Sequence, residues 1–186
     1  MLEARDRRNA TLAVSLVLTA VLLTHMVQLD RALKTEAAPR GIISFELAGS
    51  PQRAQTILDS WDVAAHAAAR TSLSLDYAFL VAYAAALFLM CRMLGDARPV
   101  SRSKLRPVSR GLAWGQWIAA ALDGTENVLL TRQLQGSREA WLAPTAATCA
   151  SLKFIIVGLA LLFITGAGLW ITFRAVKGGG DATATL

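Results

Sequence analysis

Lys153-Phe154-Ile155-Ile156-Val157-Gly158-Leu159-Ala160-Leu161-Leu162-Phe163-Ile164-Thr165-Gly166-Ala167-Gly168-Leu169-Trp170-Ile171-Thr172-Phe173-Arg174 carries no charge between its lysine and its arginine. A helix rises about 1.5 Å per residue and the hydrocarbon core is about 30 Å thick, so this run reads as a membrane span. Working outward from it, residues 72–94 form a second such run, ending at Arg92 and Gly95, and residues 9–29 another, with His25 as its single ionisable group. The chain as a whole agrees: 54% of its 186 residues are hydrophobic and its mean hydropathy is +0.44, too apolar for a soluble domain of this size.

Residues 111–134 are harder to place, because Asp123, Glu126 and Asn127 interrupt the apolar run after Leu122. Such a segment spans only if its polar groups face protein or trapped water. With that condition the sequence predicts an all-α integral membrane four-helix bundle, with spans at about 9–29, 72–94, 111–134 and 144–173. The bundle would be one domain over residues 1–177, with an outer interfacial segment at 30–70 and a flexible tail from Gly178 to Leu186. Arg5, Arg7 and Arg8 before the first run also suit a cleaved signal peptide, but the run is long for one and no small-x-small site follows Gln28.

Lysine and arginine near a span resist translocation. The connection between spans two and three holds Arg98, Arg102, Lys104, Arg106 and Arg110 against Asp96 alone, which predicts cytoplasmic N and C termini in a bacterial inner membrane. A net charge of +6 and a pI near 10.0 do not point to nucleic acid, because the basic residues are dealt out between apolar segments and form no stripe. Cys91 and Cys149 fall toward opposite ends of the bundle and read as small buried hydrophobes rather than a disulfide.

In the outer segment, Ser50 and Pro51 make a helix start, with serine at the N-cap and proline at the first helical position. Ala54, Ile57, Leu58, Trp61, Ala65 and Ala68 then recur at helical spacing, which predicts one amphipathic helix over the bundle mouth with Trp61 at headgroup depth. Glu46, Asp62 and His66 lie in or near this lid. A solvated, salt-bridged surface is the plainer reading of them.

The chemistry sits inside the spans. Successive helical residues advance by about 100°, so Gln116, Asp123 and Asn127 fall within about 40° of one another on span three, with Glu126 roughly 80° away. The same arithmetic aligns Ser72, Asp76 and Tyr83 on span two, with Tyr83 at the depth of Asp123. Lys153 has two readings. If span four starts near Pro144, its ammonium lies roughly 14 Å inside and pairs with Asp123 or Glu126. If the span starts at Phe154, it snorkels to the headgroups.

A carboxylate in hydrocarbon costs several kcal/mol unless paired or neutral. Asp123, Glu126 and Lys153 are therefore the candidate catalytic groups, and Asp76, Tyr83, Gln116, Asn127, Trp61 and Glu46 the candidate ligand-binding groups. The alternative is an interhelical hydrogen-bond network that only holds the bundle together, and the spacing of Gly111, Gly115 and Ala119 serves helix packing. The Glu-x-x-His pairs of di-iron bundles are missing, so no metal is expected, and no phosphate loop, serine elbow or paired-cysteine motif names a cofactor.

Phe45-Glu46-Leu47-Ala48-Gly49-Ser50, Trp61, Leu75-Asp76-Tyr77 and Leu122-Asp123-Gly124-Thr125-Glu126-Asn127 together resemble a pattern recurring in uncharacterised bacterial four-span membrane proteins. The resemblance covers most of the chain and implies that these positions act as a unit. The arrangement is also similar in architecture to the sterol isomerase and sigma-2 receptor superfamily, small bundles with acidic and amide residues around a lipid cavity. The expectation is a pocket for a hydrophobic or amphiphilic small molecule drawn from the lipid bilayer, with acid-base chemistry as an extension. An accessory subunit bonded to partner membrane subunits is the rival, and a proton-coupled transporter the third reading, disfavoured by the lack of an inverted repeat.

Overall fold

The computed structural model describes residues 2–97 and 100–183. Among them the fold is all-α. The helices are α1 (Leu2–Asp30), α2 (Ile42–Glu46), α3 (Pro51–Asp59), α4 (Val63–Asp96), α5 (Leu105–Leu134) and α6 (Leu142–Thr183), with 3-10 turns at Arg31–Leu33 and Val100–Arg102. Three segments are long and apolar enough to cross a membrane: Glu3–Leu33, Val63–Asp96 and Leu142–Arg174, with mean hydropathies of 2.1, 1.9 and 2.4. They mark a membrane protein. At 34 residues α4 is roughly 51 Å long, more than the hydrocarbon requires, and the lid leads into its N-terminal end.

Helix α4 is the hub. It packs along α1 on one side and α5 on the other, α5 packs along α6, and α4 meets α6 over a smaller area. Where α4, α5 and α6 meet, the buried apolar residues other than Tyr83 are small: Ala84 and Ala120 beside it, then Cys91, Ala113 and Ala160 further along. Small residues let helix backbones approach closely, which dispersion then rewards.

Helix α5 has an inside-out pattern. Gln116, Asp123, Glu126 and Asn127 are buried, while Trp114, Trp117, Ile118 and Val128 are exposed. In water this distribution is upside down. Its polar face is covered by α4 and α6, the elements that flank it.

Helices α4 and α5 approach closely at Gly95, where a Cβ would overlap Ser109 Oγ and lie 2.7 Å from Ser109 Cβ. Ser109 donates its hydroxyl hydrogen to the Cys91 carbonyl at 2.7 Å, bonding the two helices to each other. Gly95→Ala must therefore push the helices apart and break that bond. The expected loss is about 1–3 kcal/mol, read as a lower midpoint in thermal unfolding in detergent. An unchanged midpoint would mean the helices do not meet this closely.

The lid departs from the single amphipathic helix the spacing predicts. Ser50 does cap α3, accepting the Arg53 N–H at 3.3 Å with Pro51 in the first turn. The helix then stops at Asp59, and Asp62 starts α4 by accepting the Ala65 N–H at 2.7 Å. The break turns Trp61 inward, 6% exposed, where its Nε1–H donates to the Leu33 carbonyl at 2.9 Å. Phe45 packs edge-on against its ring at 5.4 Å, and Leu33, Ile57, Leu130 and Leu142 complete a core between the lid and the ends of α4, α5 and α6.

A further short helix, α2, is set by Gly41. Its φ of +57° suits glycine, and a Cβ there would overlap the Asp30 carboxylate. Asp30 uses that space to accept the Ile42 N–H at 2.7 Å, tying the end of α1 to the start of α2. At the other terminus α6 remains helical to Thr183, past the glycines where the sequence predicts a tail, since extending an existing helix is cheaper than nucleating one. The end of that tail, residues 184–186, lies outside the described residues.

Candidate functional site

Asp123 lies in the middle of α5, facing both α4 and α6. Lys153 Nζ on α6 is 2.5 Å from its Oδ1, and the Tyr83 hydroxyl on α4 donates to its Oδ2 at 3.1 Å. One carboxylate thus joins three helices. Lys153 Nζ also lies 2.9 Å from Glu126 Oε2, one turn further along α5, and 3.9 Å from Glu46 Oε2 at the end of α2. The ammonium is 7% exposed and is held by acids from α5 and the lid, not turned out toward headgroups.

Glu126 is fully buried. Its contact with Lys153 is at ion-pair distance but poorly directed, and both of its carboxylate oxygens have no hydrogen-bond partner. Asn127, the next residue on α5, points to α4 and donates from Nδ2 to Asp76 Oδ2 at 2.5 Å. Burial raises the Glu46 carboxyl above its ordinary range, with the nearby Lys153 ammonium opposing that shift.

Beside these groups is a cavity of about 380 Å³, within the range of about 300–1,000 Å³ usual for small-molecule sites. Its polar end is made by Glu46, Asp76, Tyr83, Asp123 and Lys153, with Ser72 and Asp30 nearby. Its walls are apolar: Leu23, Met26 and Val27 from α1, Phe79 and Leu87 from α4, Phe154 and Val157 from α6, and Ile42 and Ile43 from the lid. Leu23, Val27, Ile43 and Phe154 are also exposed on the outer surface, so the cavity opens sideways through an apolar rim between α1 and α6.

The remaining residues singled out in the sequence lie elsewhere. Glu126 and Asn127 stand behind the cavity and hold Lys153 and Asp76, which line it. Gln116 is fully buried two turns along α5, donating to the Leu112 carbonyl at 3.0 Å with Oε1 unpartnered. Trp61 belongs to the lid core and does not reach the cavity. His66 packs its ring at 6.0 Å from Trp61, and among the described residues no three His, Cys, Asp or Glu side chains are arranged to hold a metal ion.

Asp30 was the polar wall residue not singled out. Its signal was an acid at the very end of an apolar run, but its role depends on a contact with Ile42, which spacing along one helix does not reveal. Compared with family models, curated proteins and solved structures, the chain matches none.

Proposed function

We propose that the protein is a four-span bundle, with both termini on the cytoplasmic side of a bacterial inner membrane, that binds an amphiphilic small molecule or lipid in its intramembrane cavity. The single observation behind this reading is the joining of an apolar cavity, open sideways, to a buried cluster of one lysine and several carboxyl groups. A tail fits the walls and a head group fits the polar end. The inside-out pattern of α5 supports its role as the fourth span, since exposed Trp114, Ile118 and Val128 suit hydrocarbon while the acids are turned to protein.

Acid-base chemistry extends the same reading. The Tyr83 hydroxyl lines the cavity and is bonded to Asp123, which is bonded to Lys153, so a proton can pass along this chain to or from a bound ligand. A purely structural network would not require a cavity beside it.

The test is mass spectrometry of everything that co-purifies in mild detergent, comparing the wild type with Asp123→Asn. One specific amphiphile should accompany the wild type and fall at least about tenfold, or 1.4 kcal/mol, in a variant that keeps its helical circular dichroism. Stoichiometric protein partners with no small molecule would overturn the reading and favour an accessory subunit.

A further inference from the structure

Resting on that binding reading, we infer that the cavity selects a cationic amphiphile, with Asp76 receiving a protonated amine head group, and that it rejects anionic amphiphiles. Asp123, Glu126 and Glu46 are gathered around a single ammonium, Lys153, and Asp76 lines the same cavity. Lys153 is already committed to Asp123 at 2.5 Å and Glu126 at 2.9 Å. A phosphate or carboxylate head group would find no free cation and several acids.

Asp76 differs from the other three. It is 8% exposed, lines the cavity, and receives one hydrogen bond from the neutral Asn127 amide, while no lysine or arginine among the described residues pairs with it. It lies about two turns, roughly 10.5 Å along the axis, from Tyr83 on the same helix, and so apart from the bond that Tyr83 makes to Asp123. Glu126, fully buried beside the same lysine with Oε1 unpartnered, is a second sign that the cluster carries more acceptors than the protein's own donors satisfy. An ammonium supplies both a positive charge and up to three N–H donors. In a site shielded from water such a charge-assisted bond outweighs the neutral one a hydroxyl offers.

The apolar side opening is compatible with this ligand. An amine enters hydrocarbon unprotonated and takes a proton from the Asp76 carboxyl group at the polar end, leaving an ammonium paired with a carboxylate, whereas a phosphate crosses the rim only with its charge.

The test uses three probes with the same tail, dodecylamine, dodecanol and dodecyl phosphate, each titrated into the full-length protein in mild detergent and read by native mass spectrometry. Dodecylamine should bind at least about tenfold tighter than dodecanol, with dodecyl phosphate weakest. Asp76→Asn should bring dodecylamine down to the affinity of dodecanol and leave dodecanol unchanged. Equal binding of all three probes would overturn the head-group inference and leave the cavity reading standing. A preference for the phosphate, or an amine preference that survives in folded Asp76→Asn, would also overturn it. Failure of every probe to bind would remove the cavity reading and this inference together. Should Asp76→Asn fail to fold, the rank order in the wild type still decides between these outcomes.

Discussion

Lys153→Ala is expected to destabilise the protein by about 3–5 kcal/mol, the cost of leaving buried charge unmatched when one partner of a buried pair is removed. The ammonium is what Asp123, Glu126 and Glu46 share, and without it their carboxyl groups must either protonate or bear uncompensated burial. Thermal unfolding in detergent, followed by circular dichroism, should show a large drop in midpoint. The cause can be separated from lost packing by a double-mutant cycle. Adding Asp123→Asn to Lys153→Ala removes one of the orphaned acids, so the double variant should be more stable than the sum of the single losses by about 0.5–3 kcal/mol. Strict additivity would mean that the lysine and aspartate do not interact, and the cluster would lose its centre.

The second large effect is expected at Trp61. Truncation to alanine empties the middle of the lid core and leaves the Leu33 carbonyl without its indole donor, for a loss of about 3–5 kcal/mol. Trp61→Phe keeps much of the ring contact with Phe45 and forfeits the hydrogen bond, costing about 1–3 kcal/mol. Limited proteolysis reports where the damage falls. Cleavage should begin in the connection between α1 and α4, at residues 31–62, while α4 and α6 remain intact. Cleavage spread evenly over the chain would instead make Trp61 part of the global core.

These residues also show where a sequence can and cannot be read. The three apolar runs were legible because a span is a local property: its length and hydropathy do not depend on a neighbour. The polar face of α5 was legible for the same reason, since Asp123 and Asn127 are four apart on any helix, and the depth match of Tyr83 to Asp123 followed from counting turns. Lys153 was not decidable, because its partner depends on whether the helix begins at Pro144 or Phe154, and α6 in fact starts at Leu142. The end of α3 at Asp59 was hidden for a different reason. The apolar spacing runs unbroken from Ala54 to Ala68, and Asp62 as a surface acid looks the same as Asp62 as an N-cap until the chain is seen to turn. Glu46 was singled out through its motif, but its reach to Lys153 joins residues more than a hundred positions apart.

The segment bearing Glu46 and Trp61 emerges from the ribosome well before α6, yet Leu142, Ala143 and Ala146 of α6 form part of the core on which it rests, and Lys153 faces its glutamate. The lid therefore waits. It is held near its place by Asp30 and the end of α1, and completes its fold only when the final helix has been inserted. A chain stopped before residue 142 would carry an undocked, protease-sensitive lid segment, and the arrival of the last helix is the event that closes both the lid and the cavity beneath it.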